Sequence, residues 1–365
     1  MVRVTTTLGR FLRMRCAATL MVAPGVSTPR YFSDPQQEHL ATRRAAGLAD
    51  FSFMCGVEIT GPASTAFLRI LQTRALDGLL PGRVAYTLLL RDDGTVLNDA
   101  TVWRLGNEHF WLFTGRRGDF AHIARSARES EVTVTDISLR HAVIALQGSA
   151  SKRIIERGFA GQQVALPYYG FSRFDFAGVD CWLARIGYSG ETGYEFVIAD
   201  AAADALWHTL YSAGDDSGLL ECGFDAINSL RIEAGHLLFT CELAAPVTPM
   251  ELGLARLVDF HAHDFRGAPA LRARRRWPQQ RRLAGLLPEN HAVLTTRLPE
   301  HLAPGTGALT SVCWSPVFER KLGIGFVNAD DAYPGSAVML ADGTRAHVAR
   351  LPFYDPGRFL PRHAR

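Results

Sequence analysis

Gly187, Gly190 and Gly193 fall within seven residues of the segment Arg185-Ile186-Gly187-Tyr188-Ser189-Gly190-Glu191-Thr192-Gly193-Tyr194-Glu195, a spacing that forces a tight turn on the backbone. Glycine adopts angles that other residues avoid, and it has no side chain to hold a ligand away. Two tyrosines supply flat faces and hydroxyls, and two carboxylates accept hydrogen bonds. The combination suits a flat, nitrogen-rich ring system. The plainer reading is a glycine-rich hairpin turn with its polar residues exposed.

The turn sits in a chain of 365 residues, long enough for two or three domains. Apolar periodicity predicts a helix over 37–48, a strand over 55–59 and a helix over 63–71. Strands follow over 84–90 and 96–105, joined by Asp92-Asp93-Gly94 as a hairpin turn. A short strand over 110–113 and a helix over 120–128 complete a first unit. A second unit opens near His141, with strands over 142–146, 171–176 and 180–186 and helices over 150–158, 201–213 and 226–234. Short strands separated by Gly305, Pro316, Gly323, Pro334-Gly335 and Gly343 predict an all-β unit at the end. The expected fold class is therefore α+β, with two α+β domains over 37–140 and 141–275 and a C-terminal β domain over 280–365.

Composition narrows the function. A net charge of +3 is too small to argue for nucleic acid or a membrane surface. No long uncharged apolar run predicts a membrane span. All but two of the 39 basic residues are arginine, which reads as a GC-rich genome and not as a binding signal. Six of those arginines lie over 272–282 around Trp277-Pro278, where a charged linker is expected. The first 33 residues hold five arginines and no acid, so residues 1–36 are expected to be a disordered extension. The expected location is cytoplasmic, or mitochondrial if the source is eukaryotic. Six cysteines without a Cys-x-x-Cys pair read as buried thiols. His261-Ala262-His263-Asp264 has two histidines at i and i+2 but no further ligand cluster, so no metal is expected.

Asp99 is the foremost candidate for chemistry. It lies in the apolar strand that follows Gly94, where period-two alternation puts Leu97, Asp99 and Thr101 on one face. A carboxylate there is costly unless it is hydrogen-bonded or used. A nucleophile elbow, P-loop, zincin motif and dinucleotide fingerprint are all absent, which argues against a flavin or nicotinamide held by this chain alone.

Taken together the segments resemble the glycine cleavage T protein family, the folate-dependent aminomethyltransferases. Gly187 to Glu195 matches that family's Gly-Tyr-Thr-Gly-Glu-x-Gly-x-Glu loop, and Asp50-Phe51-Ser52-Phe53-Met54 echoes its Asp-Val-Ser-His-Met segment. Gly94 to Asp99, Ala145-Leu146-Gln147-Gly148-Ser149 and Ser229-Leu230-Arg231-Ile232-Glu233-Ala234-Gly235 follow in the family's order. Thr248-Pro249-Met250-Glu251, Ser315-Pro316 and Leu351-Pro352-Phe353-Tyr354 complete a likeness that spans roughly residues 38 to 356.

The resemblance implies a three-domain ring of the T-protein type, ending in a small β-barrel or jelly-roll domain, with tetrahydrofolate in the central opening. It implies that Asp99 is the catalytic carboxylate, that Glu195 accepts hydrogen bonds from the pterin, and that Met54, Tyr86 and Tyr188 line the pocket. The family's folate-contacting arginine lies in an Ala-Arg-Asp segment that here reads Ala226-Ile227-Asn228. Arg231, which is nearby but matches a different family position, is then the expected cofactor-binding arginine.

The expected activity is one-carbon transfer from an amine or small methylated donor to tetrahydrofolate, with aminomethyl transfer from a lipoylated carrier protein as the family default. The alternatives are a folate-dependent demethylase of a small metabolite and a non-catalytic folate-binding protein of iron–sulfur maturation. A third possibility is the folate half of a separate amine dehydrogenase or oxidase, for which a separate flavin dehydrogenase subunit is the expected partner.

Overall fold

The structure is a computed structural model that describes residues 6–363, apart from 24, 129, 161, 163, 262–263 and 291–294. The chain opens with α1 (Thr7–Arg15), the strands β1 (Ala18–Ala23) and β2 (Val26–Tyr31), α2 (Pro35–Arg44) and β3 (Ala46–Asp50). Next come β4 (Cys55–Thr60), α3 (Ser64–Leu71), β5 (Arg83–Leu90), β6 (Val96–Arg104), β7 (His109–Thr114), α4 (Asp119–Ser126) and β8 (Thr133–Asp136). The following stretch holds β9 (His141–Gln147), α5 (Ser151–Gly158), β10 (Phe171–Phe176), β11 (Val179–Ala184), β12 (Gly193–Ala199), α6 (Ala203–Gly214), β13 (Leu219–Glu221) and α7 (Phe224–Glu233). The chain ends with α8 (Ala268–Arg275), β14 (Arg281–Pro288), β15 (Thr306–Ser315), β16 (Arg320–Asn328), β17 (Ala337–Leu340), β18 (Arg345–Ala349) and α9 (Phe359–Arg362). The fold is mixed α+β. No helix among the described residues is long and apolar enough to cross a membrane.

Two sheets make the frame, a six-stranded one in the order β10-β11-β12-β9-β3-β13 and a five-stranded one in the order β5-β6-β7-β4-β8. Alternation of side chains decides how they stack. Along β9, Ala142, Ile144 and Leu146 point to a core shared with Leu206 and Trp207 of α6, while Val143 and Ala145 point the other way. There they meet Trp103, Trp111 and Phe113 from the second sheet. That sheet turns Val102, Phe110 and Leu112 to its far side, against Phe67, Leu68 and Leu71 of α3 and Ile123 of α4. The result is two sheets face to face with helices on both outer surfaces. β14, β16, β15, β17 and β18 pair around a closed circuit, and Leu322 and Ile324 of β16 pack on Ile232 of α7.

Four expectations are corrected by this arrangement. The helix expected over 37–48 stops at Arg44, and Ala46–Asp50 is a fully buried strand. Its short apolar run fits either period locally; pairing with β9 on one side and β13 on the other selects the strand. The same strand breaks the expected boundary at 140, because a piece of the first unit completes the sheet of the second.

Residues 1–36 are not a disordered extension over their described part. Leu8 and Leu12 are wholly buried in the core beneath α6, and Asp200 caps the first turn of α1 through the Thr7 N–H at 2.6 Å. Arg15 forks onto both oxygens of Glu221 at 2.9 Å. The arginine density obscured this i, i+4 apolar pair in the sequence. Leu12→Ala is accordingly expected to cost about 2–5 kcal/mol, the usual toll of a core cavity, read as a lowered thermal midpoint. An unchanged midpoint would return the segment to a disordered tail.

The expected linker over 272–282 is in part an element end and a strand start. Arg281 is buried, with Nε 2.7 Å from Glu251 Oε1 and Nη2 2.8 Å from the Pro246 carbonyl.

Candidate functional site

The glycine-rich turn joins β11 to β12, and its shape is set by Gln147 at the end of β9. Tyr188 N–H and Ser189 Oγ donate to Gln147 Oε1 at 3.3 and 3.0 Å. A Cβ at Gly187 or Gly193 would overlap that carboxamide, and Gly190 turns at φ +83° against Ala234. The loop therefore wraps a buried amide, and its three glycines are spent on close approach and reversal.

The wrapped loop delivers Tyr188 and Glu195 to one wall of a cavity of about 530 Å³, within the range typical of small-molecule sites. Glu195 pairs in register with Ala145 on β9 and Ala184 on β11. Antiparallel partners share a face, so the carboxylate rises between two methyl groups and the space above it stays open. It is only 8% exposed, and no described residue donates a hydrogen bond to it. Burial alone pushes its pKa up to about 7.

Asp99 and Thr101 line the same cavity from β6, while Asn98, just before Asp99, turns to the other face and donates to Asp119 at 2.6 Å. Tyr86, on the neighbouring strand, donates its hydroxyl to Asp99 Oδ2 at 2.9 Å. Burial pushes Asp99 up to about 6, and the Tyr86 hydroxyl draws it partly back. The carboxylate is half-buried and lines the cavity, so it is desolvated without being sealed. Met54 follows β3 into the cavity beside Phe51 and Phe53. Tyr188 sets its ring edge-on to Phe51 and donates its hydroxyl to the Leu237 carbonyl.

Of the residues expected at the site, Asp99, Met54, Tyr86, Tyr188 and Glu195 come together around this cavity. Arg231 does not, and that expectation is corrected. Its guanidinium is 1% exposed and faces the C-terminal strands. Nη1 lies 2.9 Å from Glu242 Oε2, Nη2 2.7 Å from Ser311 Oγ, and Nε 2.9 Å from Asn228 Oδ1. Those partners hold it against protein, and it does not line the cavity.

Sequence reasoning passed over other members. His236 lies just beyond the end of α7, and Tyr168 and Tyr169 precede β10; all three line the cavity. Arg256, Arg350 and Arg358 line it as well and bring cationic character. Only an adjacent tyrosine pair and a histidine after a helix-ending glycine stood in the sequence as signals. Ile227, where the resemblance led one to look for an arginine, is a buried apolar part of the wall.

Among the described residues no group of three or more His, Cys, Asp or Glu side chains is placed to hold a metal ion. Positions 262 and 263 of the His261-Ala262-His263-Asp264 fragment lie outside the described residues.

Comparison with known proteins agrees with the geometry. A family model described as the GCVT N-terminal domain matches residues 13–262. The aminomethyltransferase of Streptomyces avermitilis is 32% identical over 365 aligned residues, covering 94% of this chain and 95% of the relative. That of Moorella thermoacetica is 32% identical, covering 89% and 91%. The crystal structure of glycine cleavage system aminomethyltransferase T from Bartonella henselae superposes with a TM-score of 0.85 at 24% identity, covering 97% of this chain and 99% of that one, and so shares the fold. With a family match over most of its length and relatives at this identity end to end, the chain belongs to the GCVT family, the aminomethyltransferases.

Proposed function

We propose that the chain transfers a one-carbon group from an amine or small methylated donor to tetrahydrofolate held in the 530 Å³ cavity, with Asp99 as its catalytic carboxylate. Glu195 carries this reading. It is a buried carboxylate with no hydrogen-bond donor among the described residues, facing a cavity between two alanines. Such a group is costly unless a ligand supplies the missing N–H groups, and the amino and ring N–H edge of a reduced pterin is their complement.

When bound, tetrahydrofolate supplies the amine nitrogens that accept the one-carbon unit. Glu195 would hold the pterin edge, and Phe51, Met54 and Tyr188 would cover the ring and keep water away. Asp99 presents fixed negative charge from the facing strand, in a site too dry to screen it, and stabilises the positive charge that develops during transfer. Tyr86 orients that carboxylate. Arg256, Arg350 and Arg358 match an anionic tail. In this reading the two α+β units and the C-terminal strands form a three-domain ring about the ligand.

Isothermal titration tests the reading. Tetrahydrofolate is expected to bind in the micromolar range, and Glu195→Ala to weaken it roughly tenfold or more, the toll of a lost charge-assisted hydrogen bond. Ligand N–H donors favour the ionised carboxylate. Binding at pH 7 therefore releases about half a proton from a group that titrates near 7. Repeating the titration in buffers of different ionisation enthalpy measures that release, and Glu195→Gln abolishes it. No measurable binding by the wild type sinks the reading.

The Asp99–Tyr86 contact predicts a pH profile. Ionised Asp99 is the working form, so kcat/KM is expected to rise with pH through about 6. Tyr86→Phe removes a donor that favours the ionised form, which moves this limb to higher pH. A limb that stays in place would separate Tyr86 from Asp99 titration.

Ile227 supports a second reading of the donor. An apolar side chain at this wall leaves one fewer cation for a carboxylate of the ligand, which suits a folate-dependent demethylase of a free methylated metabolite. The two readings part on the carrier: an aminomethyltransferase needs its lipoylated protein partner, and a demethylase turns over a free small molecule.

A further inference from the structure

His236 has no role in the site as drawn so far. Its ring lies nearly parallel to that of Tyr188, with centroids 5.5 Å apart and 20° between planes. Its backbone N–H donates to the Arg231 carbonyl and its own carbonyl accepts from Arg231 Nη1, yet no described group bonds to either ring nitrogen. The imidazole also borders a side cavity of about 20 Å³, shared with Tyr354, Asp355 and Arg358, a volume that suits a single water. Burial, reinforced by the Arg358 and Arg231 cations, pushes its pKa down to about 3, so the ring is neutral at working pH. A neutral imidazole offers one donor and one acceptor. His236 lines both the main cavity and this side cavity together with Arg358, which puts it in the same part of the site as that arginine.

We propose that His236 is a specificity residue that reads a neutral amide lying next to a carboxylate, the chemistry of the aminobenzoyl-glutamyl tail of a folate. The inference rests on the tetrahydrofolate reading and deepens it. Arg358 takes the anion, and His236, braced by Tyr188, takes the uncharged donor–acceptor group beside it. A charged side chain at 236 would bind the anion alone; the neutral ring distinguishes an amide-linked tail from a bare acid.

The test compares tetrahydrofolate with the tail-less 6-methyltetrahydropterin by titration calorimetry, on wild type, His236→Phe and His236→Gln. Phenylalanine keeps the stack on Tyr188, and glutamine keeps a donor and an acceptor. His236→Phe is expected to weaken tetrahydrofolate roughly tenfold and to leave the tail-less pterin within about twofold, with His236→Gln recovering most of the loss. In wild type, the ring nitrogens of ¹⁵N-labelled His236 are expected to shift with tetrahydrofolate and not with the tail-less pterin, a readout that needs no variant to fold. Unchanged tetrahydrofolate affinity in His236→Phe, equal losses for both ligands, or an unmoved ¹⁵N signal overturns the assignment while the folate reading stands. Wild type that binds neither ligand removes the folate reading and this inference with it.

Discussion

Asp99→Asn is expected to lower tetrahydrofolate-dependent turnover by about 10²–10³-fold while changing the dissociation constant for tetrahydrofolate only a few-fold. The range is that of removing one preorganised electrostatic group from a desolvated site. Asparagine keeps the size and the hydrogen bond with Tyr86, so the pocket persists; what disappears is the negative charge. Single-turnover kinetics beside calorimetry separate the two quantities. Stability should move the opposite way. Burial raises Asp99 from its ordinary 3.8 to about 6 in the folded chain, so its ionised form is disfavoured there. The stability that Asp99 contributes is full below the ordinary carboxylate range and declines as pH rises from about 4 through about 6. Asp99→Asn removes that decline, and above pH 6 the variant is expected to melt higher than wild type. A variant that lost activity and stability together at neutral pH would make Asp99 a structural group.

The largest loss of stability is expected at a residue that resembled a ligand contact. Arg231 and Glu242 form an ion pair with almost no exposed surface, 1% and 0%. Glu242 also receives the Leu238 N–H at 2.8 Å, Thr310 Oγ1 at 2.8 Å and the Ser311 hydroxyl. The pair thereby ties α7 and the segment after it to β15. Arg231→Met strands a carboxylate in a dry interior, which typically costs about 3–5 kcal/mol. The double variant Arg231→Met/Glu242→Leu removes both charges and is expected to regain part of that loss. Thermal midpoints report the stability. Calorimetry below the transition should show tetrahydrofolate affinity close to wild type, because Arg231 faces away from the cavity. Lost affinity at an unchanged midpoint would restore Arg231 to the ligand.

Much of the site was legible along the chain. Period-two alternation in 96–105 put Asp99 and Thr101 on one face, and both line the cavity from β6. The glycine spacing at 187, 190 and 193 called for a tight turn, and the turn joins β11 to β12 with Tyr188 and Glu195 on the cavity wall. These features are local: they follow from side-chain alternation and from backbone angles within a few residues. The order of the motifs was enough for the family.

Other features depended on partners far away in sequence. Whether 46–50 is helix or strand was settled by β9 and β13, and the fate of the first turn of α1 by Asp200, 193 residues on. Arg231 was drawn from the ligand by Ser311 on β15. Glu195 stands free because alanines happen to be its register neighbours on two other strands, and His236 meets the cavity just past the turn at Gly235, where φ is +66°. By itself the sequence determined the turn, the strand that bears Asp99 and the family. Only the tertiary structure decided which charges are satisfied by protein and which are left for a ligand, because a buried group's partners are fixed by packing across the fold and not by its neighbours in the chain.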